Sequence, residues 1–163
     1  MTFGDHYKCP RCDAIYSREE YDSLESMWVD PARPYEYGRT KICSKCGARL
    51  WIDRTVIKDY VKLDNEVTVE VSTADLVIEH EWNGDGGYFY ETMLWFYRDK
   101  DSDVVLPDSE VVTRYKTREE AKRGHQRIVE ALRKGKGYKF IKVPRLVVDF
   151  DKLENIAKGG KES

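Results

Sequence analysis

All four cysteines of this chain fall in two Cys-x-x-Cys pairs, Cys9-Pro10-Arg11-Cys12 and Cys43-Ser44-Lys45-Cys46, and none is left over. Each pair sets two thiolates on one tight turn, with backbone N–H groups aimed at the sulfurs. Two such turns face to face form a tetrahedral cage that suits zinc or, alternatively, a single iron. The N-terminus lacks the basic-then-apolar pattern of a signal peptide, so a reducing compartment is expected. There the pairs hold metal rather than disulfides. Four sulfurs close the coordination shell and leave no position for a reacting water, so the metal is expected to be structural. His6 stands close by in sequence as a further nitrogen that a closed shell does not need.

The residue after each pair, Asp13 or Gly47, sits where a knuckle turn needs a positive φ. Ser17-Arg18-Glu19-Glu20 matches a capping box, and Tyr21, Leu24 and Trp28 at i, i+3 and i+7 predict a short helix ended by Pro31 and Pro34. Residues 35–42 and 49–63 read as strands, which makes 43–47 a hairpin tip. Alternation predicts strands at 66–71 and 76–82, then a Gly-rich turn at 83–87, an aromatic strand at 88–97 and a further strand at 111–116. Thr117-Arg118-Glu119-Glu120 is a second capping box and opens the clearest helix. Ala121, Gly124, His125, Ile128, Val129 and Leu132 share its apolar face, and Gly135 stops it. Residues 138–150 read as an edge strand or one split at Pro144, followed by a short helix capped by Asp151. Strands followed by a helix argue for an α+β protein. The expected division is a four-cysteine module at 1–62 and, at 63–163, an antiparallel sheet packed against one long helix.

No window holds eighteen consecutive apolar residues, so no membrane span is expected. The net charge of −2 gives no global argument for a polyanionic partner, but its distribution is uneven. Residues 63–113 hold thirteen acidic and two basic side chains, whereas 114–145 hold twelve basic and three acidic. Arg118, Lys122, Arg123, Arg127, Arg133 and Lys134 decorate the predicted helix and could meet nucleic-acid phosphates. Alternatively, that helix packs beside the acidic strands of its own chain. A further candidate cluster is His80, Glu91 and His125. His125 lies next to Gly124, which admits another backbone, and could meet His80 and Glu91 as an acid–base or metal group. No G-x-S-x-G, H-E-x-x-H, P-loop or dinucleotide fingerprint is present, so a non-enzymatic protein is expected. The aromatic run Tyr88, Phe89, Tyr90, Trp95, Phe96 and Tyr97 offers a surface for a protein partner.

Tyr7-Lys8-Cys9-Pro10-Arg11-Cys12-Asp13-Ala14-Ile15-Tyr16 and Ile42-Cys43-Ser44-Lys45-Cys46-Gly47-Ala48 resemble zinc-ribbon and rubredoxin-like modules. The rubredoxin resemblance implies iron and electron transfer; the zinc-ribbon resemblance implies structural zinc. The chain departs from rubredoxins in carrying Asp13 where they have Gly and in inserting a capped helix. Downstream, Val71-Ser72-Thr73, His80, Tyr90-Glu91-Thr92-Met93, Arg114-Tyr115-Lys116-Thr117, Glu120-Ala121 and Gly124-His125 resemble a family of uncharacterised bacteriophage proteins. That resemblance implies a phage origin and brings no known activity. The resulting expectation is a zinc-binding phage accessory protein, in the virion or the host cytoplasm, that docks a phage or host protein. The alternative is nucleic-acid binding through Arg118–Lys134 together with the zinc module.

Overall fold

The computed structural model describes residues 6–64 and 66–160. In chain order its elements are β1 (His6–Lys8), β2 (Ile15–Ser17), α1 (Arg18–Asp22), β3 (Ser26–Trp28), α2 (Pro34–Tyr37), β4 (Arg39–Lys41) and β5 (Thr55–Leu63). They continue with β6 (Val67–Trp82), β7 (Asp85–Arg98), β8 (Glu110–Tyr115), α3 (Arg118–Arg133), β9 (Tyr138–Ile141), β10 (Arg145–Val148) and α4 (Phe150–Ala157). The architecture mixes helices with mostly antiparallel sheet. Among the described residues no helix is long and apolar enough to cross a membrane. The chain divides into two compact units that are discontinuous in sequence. One combines the chain up to Thr55 with Asp75–Phe89; the other combines Val56–Ala74 with the chain from Tyr90 onward. The sequence-based cut between 62 and 63 therefore falls inside a segment of the second unit.

In the first unit β1 and β2 pair antiparallel around the first cysteine turn, Tyr7 opposite Tyr16, and β1 also meets β6 at Ile78. Both hydrogen bonds of the Ser17/Glu20 capping box form, at 3.2 and 3.1 Å. The helix nevertheless ends at Asp22 and does not reach Trp28. None of its residues is buried, and a helix of this length without a buried face has nothing to offset nucleation. Ser26–Trp28 instead pairs with β4, Trp28 opposite Arg39. The strand expected at 35–42 begins with one helical turn, because Pro34 is preorganised for the first helical position; Gly38, at φ 68°, ends that turn. The strand expected at 49–63 begins late, since Asp53 Oδ2 accepts the Arg49 N–H at 2.9 Å and closes a turn there.

The strands expected at 66–71 and 76–82 are one sixteen-residue strand, β6. It turns into β7 through Asn83 and Gly84, whose φ angles of 53° and 81° suit a two-residue hairpin. In the second unit β5 pairs with β6, and β7 lies between β6 and β8. The helical layer is two helices rather than one, with α3 and α4 packed together and both against β8. Asp149, not Asp151, caps α4 by accepting the Lys152 N–H at 3.0 Å. Pro144 splits the last expected strand into the β9–β10 hairpin.

The buried face of α3 includes all six residues that the periodicity selects. Gly124 admits not a backbone but the phenol of Tyr115: a Cβ there would lie 2.3 to 2.6 Å from the ring and its hydroxyl. Gly124→Ala is accordingly expected to destabilise the protein by about 1–3 kcal/mol through overpacking, although alanine favours helix by ~1 kcal/mol. Denaturant unfolding checks this, and a stabilised variant would contradict the packing.

Candidate metal centre and a buried polar relay

The two cysteine turns are built alike. Cys9 N–H donates to Ala14 O at 2.9 Å and Asp13 N–H to Cys9 O at 3.0 Å. In the second turn Cys43 N–H donates to Ala48 O at 2.9 Å and Gly47 N–H to Cys43 O at 2.9 Å. Asp13 and Gly47 take φ angles of 64° and 77°, the left-handed conformation that the sequence assigns them. The Arg11 and Cys12 N–H groups point at Cys9 Sγ, at 3.4 and 3.5 Å.

The four sulfurs lie within 4.8 Å of one another. Cys9 and Cys46 approach to 3.5 Å and Cys12 and Cys43 to 3.6 Å. A disulfide needs about 2.05 Å, whereas a tetrahedron with metal–sulfur bonds of ~2.3 Å has edges near 3.8 Å. The donor set therefore fits a four-coordinate metal such as zinc, and iron fits the same cage. His6 is engaged elsewhere, its Nδ1 lying 3.3 Å from Glu79 Oε2.

Outside the sulfurs, Tyr16 Oη lies 3.0 Å from Cys43 Sγ and 3.2 Å from Ser44 Oγ. In the metal-free state burial pushes the Cys9 thiol up to about 12. Burial also acts on Cys43, but the Tyr16 hydroxyl and the Lys45 and Cys46 N–H groups outweigh it and bring that thiol down to about 6. The surrounding core is small: Tyr7, Tyr16, Ala48, Leu50 and Val77 with two of the cysteines. Tyr21 stacks on Tyr7 at 3.8 Å between ring centroids.

Sequence reasoning missed an ion pair beside this centre. Lys8, only 5% exposed, meets the fully buried Asp75, and its Nζ also reaches Asp13 Oδ1 at 3.1 Å. Asp75 Oδ1 in turn accepts the N–H of Val77 at 2.7 Å, and Val77 holds a φ of 69°. The visible signal was an aspartate interrupting the apolar run of β6.

In the second unit the structure gives His125 other partners than those expected. Its Nε2 lies 2.7 Å from Asp59 Oδ2 and its Nδ1 2.8 Å from Thr73 Oγ1. Thr73 Oγ1 lies 2.6 Å from Thr92 Oγ1, which lies 3.0 Å from Tyr115 Oη. With Asp59 Oδ2 as the acceptor the direction of the chain follows: Nε2–H donates to it, Nδ1 accepts from Thr73, Thr73 from Thr92, and Thr92 from Tyr115. Glu91 is not part of this relay; its Oε2 lies 3.3 Å from Arg114 Nε. His80 is on β6 in the first unit. Aspartate, histidine and threonine in series have the order of a nucleophile relay, but Thr73, Thr92 and His125 are fully buried. A substrate cannot reach the hydroxyl, so the network specifies a core instead.

Burial holds the His125 imidazole below its ordinary value of 6.5, with Asp59 opposing only in part. The unfolded chain then binds the proton more readily than the folded one. Stability attributable to His125 is thus complete above about pH 6.5 and declines as pH falls below it. Unfolding free energies of the parent and of His125→Gln across this range should converge toward acid pH; parallel curves would contradict the assignment.

Of the predicted basic residues, Lys122, Arg123, Arg133 and Lys134 are exposed and make no ion pair among the described residues. Arg127 donates to Ala157 O at 3.2 Å and belongs partly to the α3–α4 junction. Arg118 lies over the Tyr90 ring at 5.7 Å. No protein-family model, curated protein or solved structure matches the chain.

Proposed function

We propose that this chain is a non-catalytic nucleic-acid-binding protein whose four-cysteine module is stapled by a structural zinc. The observation that carries this reading is the solvent face of α3. The acidic strands of the second unit were the alternative partners for its cations, yet Glu91 meets Arg114 and Glu70 meets Lys58, while Asp59 reaches α3 only through His125 among the described residues. Lys122, Arg123, Arg133 and Lys134 stay exposed to solvent. Lys136 and Lys139 just past the helix, with Lys152 of α4 and the carboxylate of Asp149, line a cavity of about 290 Å³. Lys122, Arg123, Arg133 and Lys134, which make no ion pair among the described residues, can exchange counterions for phosphates, which is the source of salt-dependent affinity.

Four phosphate contacts predict a log–log salt slope of about −3.6 on duplex DNA, hence roughly a hundredfold loss between ~50 and ~200 mM salt. Fluorescence anisotropy with labelled oligonucleotides measures this. K122E/R123E/R133E/K134E should abolish duplex binding while leaving the fold intact by circular dichroism. Failure of DNA and RNA, single-stranded and duplex, to bind at low salt would end the proposal.

A second reading, docking of a phage or host protein, is supported by the exposed Tyr60, Trp95 and Tyr97 on β5 and β7. A phage origin rests on the resemblance of the 71–125 motifs alone.

A further inference from the structure

From the first unit we infer a preference for single strands, with bases stacking on a row of cation–aromatic pairs beside the metal centre. The inference rests on the nucleic-acid reading above and uses a surface that α3 does not contribute to. Arg39 lies over the Trp28 ring at 4.6 Å, Lys41 over Tyr21 at 5.7 Å and Arg54 over Trp51 at 5.8 Å. Contacts join these pairs into a row. Arg39 and Lys41 alternate onto the same face of β4, opposite Trp28 and Ser26. Tyr21 Oη accepts the Trp51 Nε1–H at 2.7 Å.

Two properties point to an anionic, stacking occupant rather than to a solvated surface. First, Arg39, Lys41 and Arg54 make no ion pair among the described residues. The contrast within the unit is direct: Arg33, over Tyr37, is held by Asp30 and Glu36, and Arg11 and Arg49 share Asp53. The exposed neighbours Asp22 and Glu25 do not pair with the row. The Lys41 ammonium is instead anchored by the carbonyls of Asp22 and Leu24, at 3.0 and 3.1 Å, and Arg54 Nε by Asp75 O at 2.9 Å. Those bonds fix the cations without neutralising them.

Second, Trp28 and Trp51 remain 40% and 36% exposed. Indole faces and guanidinium planes accept unpaired bases, and stacked bases leave their phosphates toward neighbouring cations. In a duplex the bases are already stacked and cannot use the row. A protein partner would also bury aromatics, but the unneutralised cations would then need carboxylates supplied at each position. A single strand supplies both features along one backbone.

The test uses the full-length, metal-loaded chain, a labelled oligo-dT and a duplex of matched length. The parent should bind the single strand more tightly than the duplex and quench its own tryptophan fluorescence. W28A/W51A should weaken single-strand binding about twentyfold or more, at roughly fivefold or more per lost stack, and leave duplex affinity unchanged. W28F/W51F keeps ring faces and should recover most of the loss, which separates stacking from damage to the fold. R39Q/R54Q should lower the salt dependence for the single strand. The charge-transfer absorption of cobalt in the four-sulfur site reports whether each variant retains the module. Equal single-strand affinity in parent and W28A/W51A, or equal parent affinity for single strand and duplex, overturns this inference while duplex binding through α3 stands. No binding of either form by the parent overturns both readings.

Discussion

Removal of the metal is expected to unfold the first unit. Among the described residues the buried apolar cluster around the sulfurs comprises seven, two of them ligand cysteines. A domain's net stability is only about 5–15 kcal/mol, and structural zinc sites supply an apparent ~10–16 kcal/mol. Without metal, four sulfurs within 4.8 Å of one another lose the charge that holds them together. Chelation, Cys9→Ser or Cys43→Ser should therefore erase the near-ultraviolet circular dichroism contributed by Tyr7, Tyr16 and Tyr21. Elemental analysis of the native protein should find one metal per chain, and its identity decides between zinc and iron. Protons compete for the ligands, strongly at Cys9, whose thiol burial raises to about 12, so metal affinity should rise with pH. A chelated protein that keeps its aromatic signal would refute the staple.

The parts of this molecule that were legible in the sequence are those fixed by short-range rules. Cys-x-x-Cys spacing determines a knuckle whatever lies beyond it, and Asp13 and Gly47 took the left-handed angles that such turns require. The periodicity of α3 likewise named its buried face. Local signals failed where distant partners compete. Trp28 fitted a helical period, but pairing with Arg39 on β4 won. The relay at His125 joins residues from β5, β6, β7 and β8, and no single window contains them. One clue was available: Thr73 continues the Val67, Val69, Val71 face of β6, so it was bound for the core. A buried hydroxyl there needs a partner, and a histidine on the apolar face of a helix is one of few that could serve.

Replacing Asp75 is the other substitution expected to cost most. Asp75→Ala removes the fully buried carboxylate from the Lys8 ammonium, which among the described residues also meets the half-exposed Asp13 at 3.1 Å. Breaking a buried ion pair from one side costs about 3–5 kcal/mol because the surviving charge stays desolvated. The substitution also removes the acceptor for Val77 N–H, in a backbone conformation that a β-branched residue rarely takes. These two contributions can be separated. K8M/D75N discards both charges but keeps an amide oxygen for Val77, so it should recover much of the loss in denaturant unfolding. K8M/D75L discards the acceptor as well and should recover less. Lys8 Nζ also lies 3.4 Å from Cys9 O and near Asp13 on the first cysteine turn. The pair thus orients a ligand loop from outside the sulfur shell, a position where losses of roughly 10–100-fold in metal affinity are usual. Asp75→Ala should accordingly give up its metal to a competing chelator well before the parent does. If it holds metal and stability within ~1 kcal/mol of the parent, less than a broken buried pair costs, the ion pair is not what positions that turn.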